Sequence, residues 1–136
     1  MDIILIVEDK PEEQTEAKKA VLDSGAKVVM ASTLEDANRL LDTLKGKITG
    51  ILTDIHFPER EGIKGENPCG LAIVIRAIQE RIPISICSDI NHHFANYLEM
   101  IVKGLQNLTG QQIYFTMDRK DWARALKYQK PKEVKR

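Results

Sequence analysis

Net charge is the first thing this chain lacks, with Lys plus Arg and Asp plus Glu each numbering 20 in 136 residues. That balance leaves no general attraction to nucleic acid or to a membrane surface. No apolar stretch approaches the length that spans a bilayer. The N-terminus opens directly on a strand-like run without a basic segment or cleavage site, so no signal peptide is expected. Cysteine is scarce. Cys69 and Cys87 have neither metal-ligand nor redox spacing, which reads as reduced, structural thiols in a cytoplasmic protein. Repeats, low-complexity tracts and linkers are absent as well, and the length suits one domain with a sizeable core. Apolar residues make up 43%, which excludes wholesale disorder and a disulfide framework.

What is present is an alternation of strand-like and helix-like segments, the pattern of βαβ units. Strands are expected at about 3–7, 27–31, up to Asp54, 84–87 and 112–116. Pro11 suits a first helical residue, with Glu12 and Glu13 in the turn where the helix dipole favours negative charge. Gly25 offers a left-handed stop. Ser32-Thr33-Leu34-Glu35 reads as a capping box before a helix carrying Ala37, Leu40, Leu41 and Leu44. A third helix starts near Gly70, with Leu71, Val74, Ile75 and Ile78 on its inner side. Phe94, Tyr97, Leu98, Ile101, Val102 and Leu105 form a fourth-helix stripe expected to be core. Asp118 is a candidate cap for a last helix packing Trp122, Ala125 and Leu126. The packed domain is expected over 1–128, with 129–136 a short basic tail. Five such strands suggest a doubly wound parallel sheet, order 2-1-3-4-5, in a three-layer sandwich.

Glu8, Asp9 and Asp54 each stand where an apolar run stops: Ile3-Ile4-Leu5-Ile6-Val7 before the first two, Ile51-Leu52-Thr53 before the third. Such runs read as strands buried on both faces, whose carboxyl ends open into a shared crevice at the point where strand order reverses. Carboxylates brought together there repel unless a cation sits among them, and hard oxygen ligands suit Mg²⁺.

In these stretches the sequence resembles the response-regulator receiver family, over roughly Met1 to Tyr128. Ile4-Leu5-Ile6-Val7-Glu8-Asp9 is similar to its first strand and acidic pair. Leu52-Thr53-Asp54-Ile55-His56-Phe57-Pro58 is similar to its phospho-acceptor strand, and Pro83-Ile84-Ser85-Ile86-Cys87-Ser88 to its fourth. The resemblance implies a flavodoxin-like fold and a phosphorelay role in a two-component system. Asp54 would be the nucleophile that takes a phosphoryl group from a sensor histidine kinase or phosphotransfer protein. Glu8, Asp9, Asp54 and the main-chain carbonyl of His56 would hold Mg²⁺. Ser88 would reach the phosphoryl oxygen and couple to Tyr114, the place of the family's switch aromatic. The fourth-helix and fifth-strand face would then regulate a downstream protein, with no metabolite turned over; a homodimer is compatible with this reading.

Departures from the family keep other readings open. Its strand-five lysine aligns with Met117, whose thioether cannot pair with a phosphoryl oxygen. Arg119, Lys120 and Lys10 are the candidates to supply the missing cation. Asp89 follows Ser88 where the family has a small residue. Residues 59–69 read as an insertion beside the site, since Gly62 and Gly70 both look like the glycine that opens the third helix. One alternative is therefore a pseudo-receiver, a phosphate-independent interaction module. Another is a metal-dependent phosphohydrolase with Zn²⁺ or another transition metal on His56, Asp89 and His92 or His93, together with Asp9 and Asp54.

Overall fold

The computed structural model describes residues 1–63, 67–88, 93–116 and 120–129. Its elements alternate throughout: β1 (Ile3–Val7), α1 (Pro11–Asp23), β2 (Lys27–Ala31), α2 (Leu34–Thr43), β3 (Gly50–Thr53), α3 (Gly70–Glu80), β4 (Ile84–Cys87), α4 (His93–Thr109), β5 (Ile113–Thr116) and α5 (Trp122–Gln129). All strand pairs are parallel, in the order β2-β1-β3-β4-β5. The predicted doubly wound sheet is thus the observed one.

Side chains alternate across this sheet and divide the core in two. Leu5 and Val7 of β1, Ile51 of β3, Ile84 and Ile86 of β4 and Ile113 of β5 face α2, α3 and α4. Ile4, Ile6, Leu52 and Cys87 face the other way, against Ala17 and Val21 of α1 and Trp122, Ala125 and Leu126 of α5. Burial on both faces explains why β1, β3 and β4 read as continuous apolar runs. Both cysteines are free and buried. Burial pushes the Cys87 thiol up to about 12, so it stays protonated. Among the described residues no helix is long and apolar enough to cross a membrane.

Local differences from the sequence reading have physical causes. Thr33, not Ser32, caps α2: its backbone is extended (φ −138°) and its Oγ1 accepts from Asp36 N at 3.0 Å. Ser32 Oγ instead accepts from Gln14 Nε2 at 3.0 Å. The Asp118 cap lies outside the described residues, and Asp121 fills that role, its Oδ1 accepting from Arg124 N at 3.1 Å. Gln129 continues α5, and its Nε2 donates to the Ile51 carbonyl, so α5 runs one residue past the expected domain end. The rest of the tail lies outside the described residues. The α4 stripe is wider than the sheet covers: Leu98 and Val102 are buried, but Tyr97 and Ile101 are exposed.

Gly70 is the glycine that opens α3, whereas Gly62 (φ +87°) forms a turn in the preceding loop. Residues 64–66 of that loop lie outside the described residues. Its near end is anchored to the start of α2, where Leu34 N and Glu35 N donate to the carbonyls of Pro58 (3.0 Å) and Glu59 (2.8 Å). Gly70 N donates to Ile55 O at 2.9 Å. A Cβ at position 70 would overlap the Asp54 carbonyl oxygen and lie 2.7 Å from Ile55 Cα. Both neighbours are backbone, so neither yields by changing rotamer. Gly70→Ala is expected to lower unfolding free energy by about 1–3 kcal/mol through this overpacking. Urea denaturation measures it, and an unchanged midpoint would contradict the close approach.

Candidate functional site

Parallel pairing in register (Ile6 with Leu52, Val7 with Thr53) ends β1 and β3 at the same height. Glu8 and Asp54 are therefore the next residues on neighbouring strands. Asp54 N donates to Val7 O at 2.9 Å and Glu8 N to Ala31 O at 3.0 Å, so the backbone ladder carries one residue past each strand before the chain turns away. Gln14 Nε2 reaches back to the Glu8 carbonyl at 2.7 Å, tying the first turns of α1 to the top of β1. Glu8 is 0% exposed and Asp54 5%.

The three predicted acids come together: one carboxylate oxygen from each of Glu8, Asp9 and Asp54 lies within 4.8 Å of the others. Of the three cations that the sequence offered, Lys120 is the one found in this group among the described residues. Its Nζ lies 2.5 Å from Glu8 Oε1 and 3.0 Å from Asp54 Oδ2, with the side chain 4% exposed. Lys10 is exposed, and Arg119 and Met117 lie outside the described residues. Asp54 Oδ1 accepts from Ile55 N at 2.7 Å, which fixes the plane of its carboxylate.

One ammonium against two buried carboxylates leaves excess negative charge. Burial raises the pKa of Glu8 to about 8, and Asp54 pushes it the same way, while Lys120 opposes them. Burial works against the charge on Lys120, but its bonds to Glu8 and Asp54 outweigh that and hold its pKa above the ordinary value. Asp9 Oδ1 is buried and, among the described residues, has no hydrogen-bond partner. Three hard oxygen donors, one of them buried and unsatisfied, fit a divalent ion of the Mg²⁺ class.

Other expected residues are placed less directly. His56 stands half-buried two residues past Asp54, and its ring is not part of the acidic group found among the described residues. Ser88 is buried at the top of β4, its N donating to Thr116 O (3.2 Å) and Thr116 Oγ1 (3.3 Å). Tyr114 projects to the α5 face, where its ring stacks on Tyr128 with centroids 3.9 Å apart. The β5 aromatic on the α4 face is Phe115, which with Ile113 lines a cavity of about 210 Å³ against Glu99, Val102, Lys103 and Gln106. The strand alternation separates them, because Tyr114 and Phe115 are consecutive. Asp89 and His92, invoked for a transition-metal site, lie outside the described residues.

The raised pKa of Glu8 has a consequence for stability. Between about 4.5 and about 8 the folded protein holds a proton that the unfolded chain releases. That contribution is complete at the acid end and is lost as pH rises through the window. Denaturation in a chelator should therefore show wild-type stability declining across this range relative to Glu8→Gln. Parallel profiles would contradict the buried, proton-holding Glu8.

No protein-family model matches the sequence, and no curated protein matches it. Solved structures do. A response regulator receiver domain protein from Clostridium thermocellum is 18% identical, with a TM-score of 0.67 over 95% of this chain and 90% of its own. The non-phosphorylated receiver domain of HemR from Leptospira biflexa is 16% identical, with a TM-score of 0.67 over 100% of this chain and 98% of its own. The BeF3-activated N-terminal receiver domain of RstA from Klebsiella pneumoniae is 19% identical, with a TM-score of 0.61 over 93% and 94%. Over nearly its whole length, then, the chain has the fold of response-regulator receiver domains.

Proposed function

We propose that this chain is a phosphorelay receiver in which Asp54 accepts a phosphoryl group from a phosphohistidine of a sensor kinase or phosphotransfer protein. The observation that carries this reading is the buried Lys120 ammonium shared between Asp54 and Glu8 at the top of adjacent parallel strands. Phosphoryl transfer demands positioned oxygens and cations, with little covalent work by the protein. A site of this kind places a carboxylate nucleophile and a cation together in a water-poor crevice.

In the proposed reaction an Asp54 carboxylate oxygen attacks phosphorus in line. The P–O bond forms as the P–N bond to the donor imidazole breaks, leaving an acyl phosphate on Asp54. Ile55 N holds the carboxylate plane during the approach. Lys120 exchanges its carboxylate partners for phosphoryl oxygens that carry developing charge. Mg²⁺, when bound by Glu8, Asp9, Asp54 and the His56 carbonyl, would neutralise further charge on those oxygens. Ser88 would donate to a phosphoryl oxygen. Its backbone bond to Thr116 supports a route to β5, and Phe115 beside α4 gives that route a readable face. A regulated partner would bind there. Met117 at the family's lysine position favours a phosphate-independent module, and the Lys120 ammonium beside Asp54 supports the phosphorelay reading over it.

Incubation with acetyl phosphate and Mg²⁺ followed by intact-mass measurement tests the proposal. Wild type should gain one phosphoryl group and Asp54→Asn none. Lys120→Ala should react about 10²-fold more slowly, the usual effect of deleting one charge-stabilising donor. Label that survives Asp54→Asn, or an unchanged rate in Lys120→Ala, would overturn it.

A further inference from the structure

Lys120 carries its charge at the end of a flexible four-carbon stem, so where that charge sits depends on what fixes the backbone beneath it. The residue stands two positions before α5, and the chain is held directly after it. Asp121 Oδ1 accepts from Arg124 N at 3.1 Å, and the Asp121 carbonyl accepts from Ala125 N at 3.0 Å, which closes the first turn of α5. Trp122 is buried in one cluster with Ala17 and Val21 of α1. Packing alone would be met there by a phenyl ring. An indole adds an N–H that needs an acceptor in such a setting, and Glu13 Oε2 accepts from Trp122 Nε1 at 2.9 Å. Hydrogen bonds to a carboxylate are stronger than those between neutral groups, so this one fixes the ring's orientation between the two helices. Glu13 lies in the first turn of α1, and Gln14 beside it donates to the Glu8 carbonyl at 2.7 Å. Two successive side chains of one turn therefore hold the two sides of the site. Gln14 ties down the strand end that carries the acids, and Glu13 the helix start that carries the ammonium.

We propose that Glu13 is a positioning residue: through the Trp122 indole, its carboxylate sets where the Lys120 ammonium meets Asp54. The geometry stands by itself, while its effect on rate rests on the phosphorelay reading. Lys120 has to let go of Glu8 and turn to a phosphoryl oxygen. With the start of α5 clamped to α1, only the side chain swings, and the ammonium stays within reach of Asp54. Without Glu13 the ring loses its fixed orientation, the start of α5 shifts with it, and the ammonium is misplaced. Glu13 touches neither the phosphoryl group nor Asp54, so it acts only through Trp122 and Lys120.

Two measurements on the full chain test this: phosphoryl gain from acetyl phosphate with Mg²⁺, and labelling of lysines by acetic anhydride mapped by mass spectrometry. Glu13→Leu should slow phosphoryl gain about tenfold, as a misplaced group near the reacting atoms does. Glu13→Gln removes the charge but keeps an oxygen that accepts from the indole, and should restore most of the rate. Trp122→Phe should match Glu13→Leu, and the double variant should be no slower than either. In a Lys120→Ala background Glu13→Leu should have no further effect, whereas a general loss of structure would slow that protein too. Labelling of Lys120, whose side chain is buried in the wild type, should rise severalfold in Glu13→Leu and return in Glu13→Gln, with exposed Lys10 unchanged. If the wild type takes up phosphate, an unslowed Glu13→Leu or an additive loss in the Lys120→Ala background would overturn the proposal. Lys120 labelling indifferent to Glu13→Leu would overturn it in any case. A wild type that gains no phosphate, with Lys120 labelling still responding and rescued by Glu13→Gln, would uphold the positioning and defeat the phosphorelay reading.

Discussion

Glu8 and Asp54, left unpaired in the crevice between β1 and β3, would cost several kcal/mol each in lost hydration. Lys120 makes their burial tolerable, bonding both carboxylates with one ammonium. The rest of the upper sheet edge is arranged around that contact. Strand register brings the two acids level, Ile55 N orients one, and Gln14 pins the backbone of the other. Gly70 lets α3 press against the backbone just past Asp54.

The same contact closes the fold, since Lys120 and Glu8 stand 112 residues apart in the chain. Other bonds draw α5 onto the earlier elements: Trp122 Nε1 donates to Glu13 Oε2 at 2.9 Å, and Ser85 Oγ donates to the Ala125 carbonyl at 2.8 Å. Arg76 does comparable work on the opposite face, bonding Asn38 and Asp42 of α2 as well as Glu80. These contacts fix the elements around the acidic group while leaving the charge balance there incomplete. One cation for a crowd of carboxylates is a site that takes up more positive charge readily.

Much of this was legible in the residues. Apolar runs with Pro, Gly and acidic punctuation marked β1, β2 and β4 to the residue; β1 and β4 are buried on both faces, which leaves few polar positions inside a strand, Ser85 being one. Glu8, Asp9 and Asp54 were legible from the same runs, being the first acidic residues past the ends of β1 and β3. What escaped depended on geometry that spacing does not encode. The resemblance put the strand-five cation at position 117, whereas the ammonium found beside Asp54 is that of Lys120. Tyr114 and Phe115 differ by one residue and hence by the whole thickness of the sheet. The α4 stripe read as core because periodicity reports an apolar face without saying what covers it.

The most direct test is a crystal structure grown with Mg²⁺ and beryllofluoride, the latter standing in for the phosphoryl group. The account expects an ion among Glu8, Asp9 and Asp54, beryllofluoride on Asp54, and Lys120 turned from Glu8 toward a fluorine. Lys120 still locked between the two carboxylates, with no ion beside Asp9 under saturating conditions, would contradict it.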